Sequence, residues 1–262
     1  MTEVQSAGSD SARDHAEWLA SYRSAGAERQ RTDSLFQLLP KAARTALEIG
    51  PRDGFHTRLL AQRFEHVTAL DLELPDIEHP RVTPLAGDVT SLQFADGSFD
   101  CVICAEVLEH VPDLKAACSE ISRVTRRTAV IGVPYRQDLR FARTTCTSCG
   151  RTNPPWAHLH SFDEAKLTSL FPTLRLAKTE LVASIHARTN AAAAWLMDQA
   201  GNPWGSYDQD EPCIHCGAVL RPGPRNGLGG RACGYLAARL NDLQGALSRP
   251  AARWIHCVFE KP

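Results

Sequence analysis

The sequence predicts an α/β protein built on a doubly wound, mostly parallel sheet. Three observations carry that prediction. Short apolar runs alternate with helical segments from residue 45 onward. The segments joining the runs are long enough to be crossovers, which place helices on both faces of a parallel sheet. The last apolar run, RWIHCVFEK, returns only after a long insertion and is expected to lie antiparallel.

Residues 1–44 are polar and helical in flavour, with Trp18, Leu19 and Tyr22 giving a short amphipathic face, and are expected to form an N-terminal helical cover. Residues 45–186 form the expected core. Strand TALEIG leads to helix TRLLAQRF, and strands HVTALDLE, RVTPLAGDV and SFDCVICAEV follow. Leu114, Ala117, Cys118, Ile121 and Val124 recur at helical spacing, with Pro112 expected in the first turn of that helix. After strand AVIGVPY, a helix is expected in SFDEAKLTSLF, opened by a capping box of Ser161 and Glu164. Strand LRLAKTELVASI comes next. Residues 187–250 read as an insertion with an alanine-rich helix, and residues 251–262 as the closing strand.

With 262 residues, 43% of them hydrophobic, the chain can bury a full core. No window approaches the roughly 18 apolar residues of a membrane span, and MTEVQSAGSDSARD has no apolar leader, so a cytoplasmic protein without membrane insertion is expected. A formal net charge of -1 with scattered Lys and Arg gives no footprint for a polyanion, which argues against nucleic acid as a main partner.

The stretch ALEIGPRDGFHT reads as a buried strand, a tight turn and the start of a helix, where backbone N–H groups and a helix dipole can meet a ligand. A dinucleotide loop beginning at Gly50 needs glycine at positions 52 and 55, which hold Arg52 and Phe55. The looser pattern Glu48, Gly50, position 52, Gly54 fails only at Arg52.

That second pattern resembles the class I S-adenosylmethionine-dependent methyltransferases, in their small-molecule, methyltransferase-11-like branch. The resemblance is continuous from Ala46 to Tyr135 and includes LAGDVTSLQFADGSFDCVICAEVLEHVPDL. It implies a Rossmann-like fold that binds S-adenosylmethionine. Glu48, Gly50, Arg52 and Gly54 would form the cofactor loop, Asp71 with Leu72 would meet the ribose, Asp88 and Val89 would flank the adenine, and Glu106 would open the loop under the sulfonium. The arginine is expected on the pocket rim, near the cofactor carboxylate or an acidic acceptor.

Methyl transfer from a sulfonium asks mainly for alignment and exclusion of water. A hydroxyl acceptor gains from a nearby base, and His158 and His160 in WAHLHSFDE are the expected candidates, on the carboxyl side of the sheet. The expected acceptor is a small molecule methylated on oxygen, such as a sugar, a natural product or a lipid-linked glycan. The alternatives are a cofactor-binding protein without turnover and an enzyme acting on protein or RNA. Trp18, Tyr22, Trp156 and Trp204 are further candidates to line the acceptor pocket.

Nine cysteines in a chain expected in a reducing compartment read as metal ligands or core thiols. Cys101 and Cys104 lie three apart in a strand and should point to opposite faces. CTSCG (146–150) and CIHCG (213–217) each have the form of a zinc knuckle. The expectation is one structural zinc held by Cys146, Cys149, Cys213 and Cys216; the rival arrangement joins Cys146 and Cys149 to His158 and His160 for one ion, and Cys213, Cys216 and Cys233 with a further ligand for a second.

Overall fold

The computed structural model of the chain describes residues 26–223 and 227–262. Trp18, Leu19 and Tyr22 lie outside the described residues, so the helical cover is represented by α1 (Gly26–Leu38). Strands β1 (Thr45–Ile49), β2 (His66–Asp71), β3 (Val82–Ala86), β4 (Phe99–Ala105) and β5 (Thr125–Pro134) pair in parallel. The two-residue strands β6 (Thr144–Thr145) and β7 (Thr152–Asn153) form a separate ribbon. Strand β8 (Arg175–Ile185) occupies the sheet edge, and β9 (Ala251–Glu260) inserts antiparallel between it and β5. The order β3-β2-β1-β4-β5-β9-β8 is the doubly wound sheet with one reversed strand that the alternation predicts.

Each face of the sheet has its own core. Helices α3 (Leu114–Val124) and α4 (Glu164–Leu170) bring Ala117, Cys118, Ile121 and Leu167 against Leu47, Val102, Cys104 and Phe259. On the other face α1 and α2 (Phe55–Arg63) set Leu35, Leu38 and Leu60 against Ala46, Cys101, Ile103 and Val258. Cys101 and Cys104 therefore sit in different cores, as strand alternation requires.

Two helix starts differ from the sequence expectation. Helix α3 is capped by Asp113, whose carboxylate accepts from the Ala116 N–H at 3.0 Å, which puts Pro112 ahead of the first turn. Helix α4 is capped by Asp163, which accepts from the Lys166 N–H at 2.9 Å, and not by a Ser161–Glu164 box. The reason is tertiary: Phe162 bridges Tyr135 and its carbonyl accepts from the Arg136 N–H at 2.7 Å, which keeps the chain extended past Ser161.

Between β8 and β9 the chain forms α5 (Ala191–Gln199) and α6 (Gly227–Leu247), which pack on each other. The segment joining them grips the β6–β7 ribbon. Tyr207 Oη accepts from the Thr145 N–H at 3.0 Å, Asn202 Nδ2 donates to Thr145 Oγ1 at 3.0 Å, and the Ile214 N–H donates to Asn153 Oδ1 at 2.9 Å. Among the described residues no helix is long and apolar enough to cross a membrane.

Candidate active site and a four-cysteine cluster

Strand order reverses between β1 and β4, and the turns leaving these two neighbours pack together at their carboxyl ends. This is where open α/β sheets take their ligands. Gly50 has φ +74°, its N–H donates to the Leu70 carbonyl at 2.9 Å, and a Cβ on it would overlap Cγ2 of Val107 in the β4 turn. Gly54 has φ +73° and heads α2, where a Cβ would crowd Ile77. Between them Arg52 adopts φ +52°. The loop thus holds the conformation for which the glycine pattern exists, and the arginine accepts a strain of about 1–2 kcal/mol to do so. Its guanidinium reaches Asp210 of the insertion at 3.3 Å. Both groups are well exposed, so the pair contributes at most about 1 kcal/mol.

Three further acids mark the same edge. Glu48 in β1 is buried and accepts from Thr57 Oγ1 at 2.5 Å. Burial raises its pKa from 4.5 to about 7 against the opposing Thr57 hydrogen bond, with Asp71 adding to the rise. Asp71 ends β2 and accepts from the N–H of the exposed Leu72 at 2.8 Å. Asp88 follows β3, accepts from both N–H and Oγ1 of Thr90 at 2.8 Å, and is held below its ordinary pKa by those bonds. Its neighbour Val89 is buried, and the Gly87 N–H donates to the Asp71 carbonyl at 2.7 Å, which ties the two acidic turns together.

Glu106 leaves β4 with φ +57°, a left-handed conformation rare outside glycine. Its Oε2 accepts from Trp254 Nε1 at 3.0 Å and lies 3.7 Å from Arg31, while Oε1 is buried with no partner among the described residues. Burial raises its pKa, and Arg31 and the Trp254 N–H oppose the rise. Arg31 and Arg253 both pair with buried Glu28, at 2.9 and 3.3 Å, and both flank the Trp254 ring. Helix α1 is thereby tied to the β4 turn and to β9. Sequence reasoning missed Glu28, Arg31, Arg253 and Trp254; with Trp254 and Glu106 separated by 148 residues, no local pattern marks them.

The two candidate histidines part company. His160 Nε2 donates to the Val111 carbonyl at 2.9 Å. His158 instead meets His110, ring centroids 4.7 Å apart and edge to face, beside a fully buried Glu109. Burial lowers His158 to about 3 and His110 to about 4, with His110 and Arg52 respectively adding to the effect. Burial also raises Glu109 well above the carboxylate range, and the nearby Glu106 charge reinforces it. Trp156 stands 5.9 Å from His158, whereas Trp204 packs on Gly234 in α6.

The two knuckles converge. Sulfurs of Cys146 and Cys216 lie 3.7 Å apart, as do those of Cys149 and Cys213, and all four fall within 4.8 Å of one another. A tetrahedral ion with bonds of about 2.3 Å spaces its sulfurs by about 3.8 Å, so the donor set fits zinc in number, type and spacing. N–H groups of Cys149 and Ser148 hold the Cys146 thiol down; at Cys213 burial pushes upward, but hydrogen bonds from His215 and Cys216 bring it to about 6. The rival set with His158 and His160 is not assembled: His158 belongs to the Glu109 cluster and His160 to a backbone carbonyl.

Residues 47–132 match the family model described as a methyltransferase domain. A probable S-adenosylmethionine-dependent methyltransferase of Mycolicibacterium smegmatis is 32% identical over 139 residues, covering 50% of this chain and 51% of the relative. A demethylmenaquinone methyltransferase of Mycobacterium marinum is 38% identical over 98 residues, covering 33% and 42% respectively. The chain spans about half the length of the first of these relatives. Among solved structures, a chain from the complex of the Haloferax volcanii Trm112 methyltransferase activator with a methyltransferase superposes with a TM-score of 0.53 at 15% identity, covering 94% of this chain and 95% of that one. The N-methyltransferase NodS of Bradyrhizobium japonicum gives 0.50 at 15% identity, over 92% and 99%. These similarities establish the Rossmann-like fold of class I methyltransferases, within which residues 47–132 match the methyltransferase domain.

Proposed function

We propose that the protein transfers the methyl group of S-adenosylmethionine to an oxygen of a small-molecule acceptor. The observation that carries this reading is the convergence, at the β1–β4 switch point, of the Gly50–Gly54 loop, Asp71, Asp88 and the half-partnered Glu106. Gly50 and Gly54 keep the backbone open for close approach of the cofactor, and the Asp71 and Asp88 turns offer acids for ribose and adenine. When bound, the sulfonium supplies a strong electrophile, so the chain's task is alignment and exclusion of water. Arg52 and Arg31 bring positive charge to the two ends of the site, and the acceptor side is the face of Glu109, His110 and His158.

A pKa near 3 makes His158 neutral but a weak base, which argues for a positioning role. The four cysteines hold a structural zinc that pins the insertion to the core, and the thiolates it needs suit a reducing, cytoplasmic setting.

The test is an assay with radiolabelled methyl donor on fractionated extract of the source cell. Label in a product that passes a small-molecule size filter is the expected result. Cofactor binding without transfer to any fraction, or label retained with macromolecules, overturns the reading.

A further inference from the structure

We propose that Glu109, His110 and His158 form a second metal site, chemically distinct from the four-cysteine cluster, which takes a divalent transition-metal ion with at least one position open to the acceptor oxygen. Binding of the ion stands on the residues alone; only its link to the acceptor rests on the methyltransferase reading.

Glu109 is the first observation. Its side chain is completely buried, yet neither carboxylate oxygen has a hydrogen-bond partner among the described residues. Buried carboxylates are tolerated when paired, and a metal ion is one such pairing. The second observation is what faces it. One ligand atom from each of Glu109, His110 and His158 lies within 4.8 Å of the others. A tetrahedral ion with bonds of about 2.1 Å spaces its ligand atoms by about 3.4 Å, so the three side chains close on it by rotation from their present separation of within 4.8 Å.

The third observation is the support behind the ligands. His158 Nδ1 lies 2.6 Å from Gln137 Oε1, so Nδ1–H donates and Nε2 keeps the free lone pair, the arrangement that orients metal-binding histidines. The Leu159 N–H donates to the Glu109 carbonyl at 2.7 Å, which locks the two ligand-bearing segments together. Trp156 and Ala157 lead into His158 with φ of +51° and +55°, a strained approach of the kind found at functional sites. Of the neighbouring charges, Glu106 favours a cation, while Arg31 and Arg52, the latter paired with Asp210, oppose one.

Two histidines and one carboxylate suit zinc or ferrous iron and leave coordination positions vacant, where a hydroxyl can bind and lose its proton more readily.

Cobalt(II) is the probe, because thiolate ligands announce themselves by sulfur-to-cobalt charge-transfer absorption and nitrogen and oxygen ligands do not. The full chain, stripped of metal and titrated with cobalt(II), is expected to bind two equivalents, of which one shows thiolate bands. Glu109→Gln and His158→Ala are each expected to lose the equivalent without thiolate bands and to keep the other, which also reports that the variants fold. A single thiolate-type equivalent in the wild type, or two equivalents in Glu109→Gln, overturns the proposal. Two equivalents together with absent methyl transfer would uphold the site and overturn only the methyltransferase reading.

Discussion

Glu48 offers a stability measurement that reads the carboxyl edge of the sheet directly. Its carboxyl is buried at the end of β1 with one hydrogen bond, from Thr57, and burial carries its pKa from 4.5 to about 7. Because the folded value lies above the unfolded one, the folded state binds the extra proton, and this group's contribution is complete below pH 4.5 and is lost as pH rises through about 7. Between about pH 5.5 and about pH 8.5 the loss integrates to about 2 kcal/mol, a sizeable part of the roughly 5–15 kcal/mol that holds a domain folded. Glu48→Gln keeps the shape and an acceptor for Thr57 but cannot ionise. Urea unfolding of both proteins, without cofactor, at the two pH values should show the wild type losing about 2 kcal/mol more than the variant across the interval. Parallel losses in the two proteins would refute the argument, since every other titrating group is common to both.

Other consequences follow from single contacts. Gly50→Ala forces a Cβ into Val107 at φ +74° and should cost about 2–4 kcal/mol in urea unfolding; a loss under about 0.5 kcal/mol would contradict the close packing of the two turns. Asp113→Ala removes the cap on Ala116 and should cost about 1 kcal/mol, with Asp113→Asn retaining most of the stability. Cys213→Ser should abolish one equivalent of bound zinc per chain and hasten proteolysis within residues 200–220; unchanged zinc content would remove Cys213 from the ligand set. Trp254→Phe leaves Glu106 without its indole donor and should weaken cofactor binding measurably by calorimetry while the fold persists.

Much of this architecture was legible because its causes are local. Short apolar runs and crossover lengths marked the strands and their parallel pairing, Gly50 and Gly54 marked the loop, and two CxxCG sequences announced a cluster that needed only to be brought together. Arg52 looked from the sequence like a missing glycine. In the structure it occupies the glycine's left-handed conformation, which no residue-by-residue pattern could foresee. The helix starts illustrate the same boundary: Ser161 and Glu164 have capping-box spacing, but the bridge between Phe162 and Tyr135 holds the chain extended, so Asp163 caps instead.

What the sequence determined by itself was the fold class, the glycine-bearing loop after β1 and the four cysteines, all written in short-range patterning and spacing. What only the tertiary structure decided was the meaning of isolated polar residues. Glu109 and His110 lie within the stretch that carries the resemblance but say nothing by themselves of what faces them, and Glu28, Arg31 and Trp254 carry no local signal at all. Their roles come from burial and from contacts across distant segments, because a carboxylate or an imidazole acquires its chemistry from what surrounds it, and those surroundings exist only once the chain has folded.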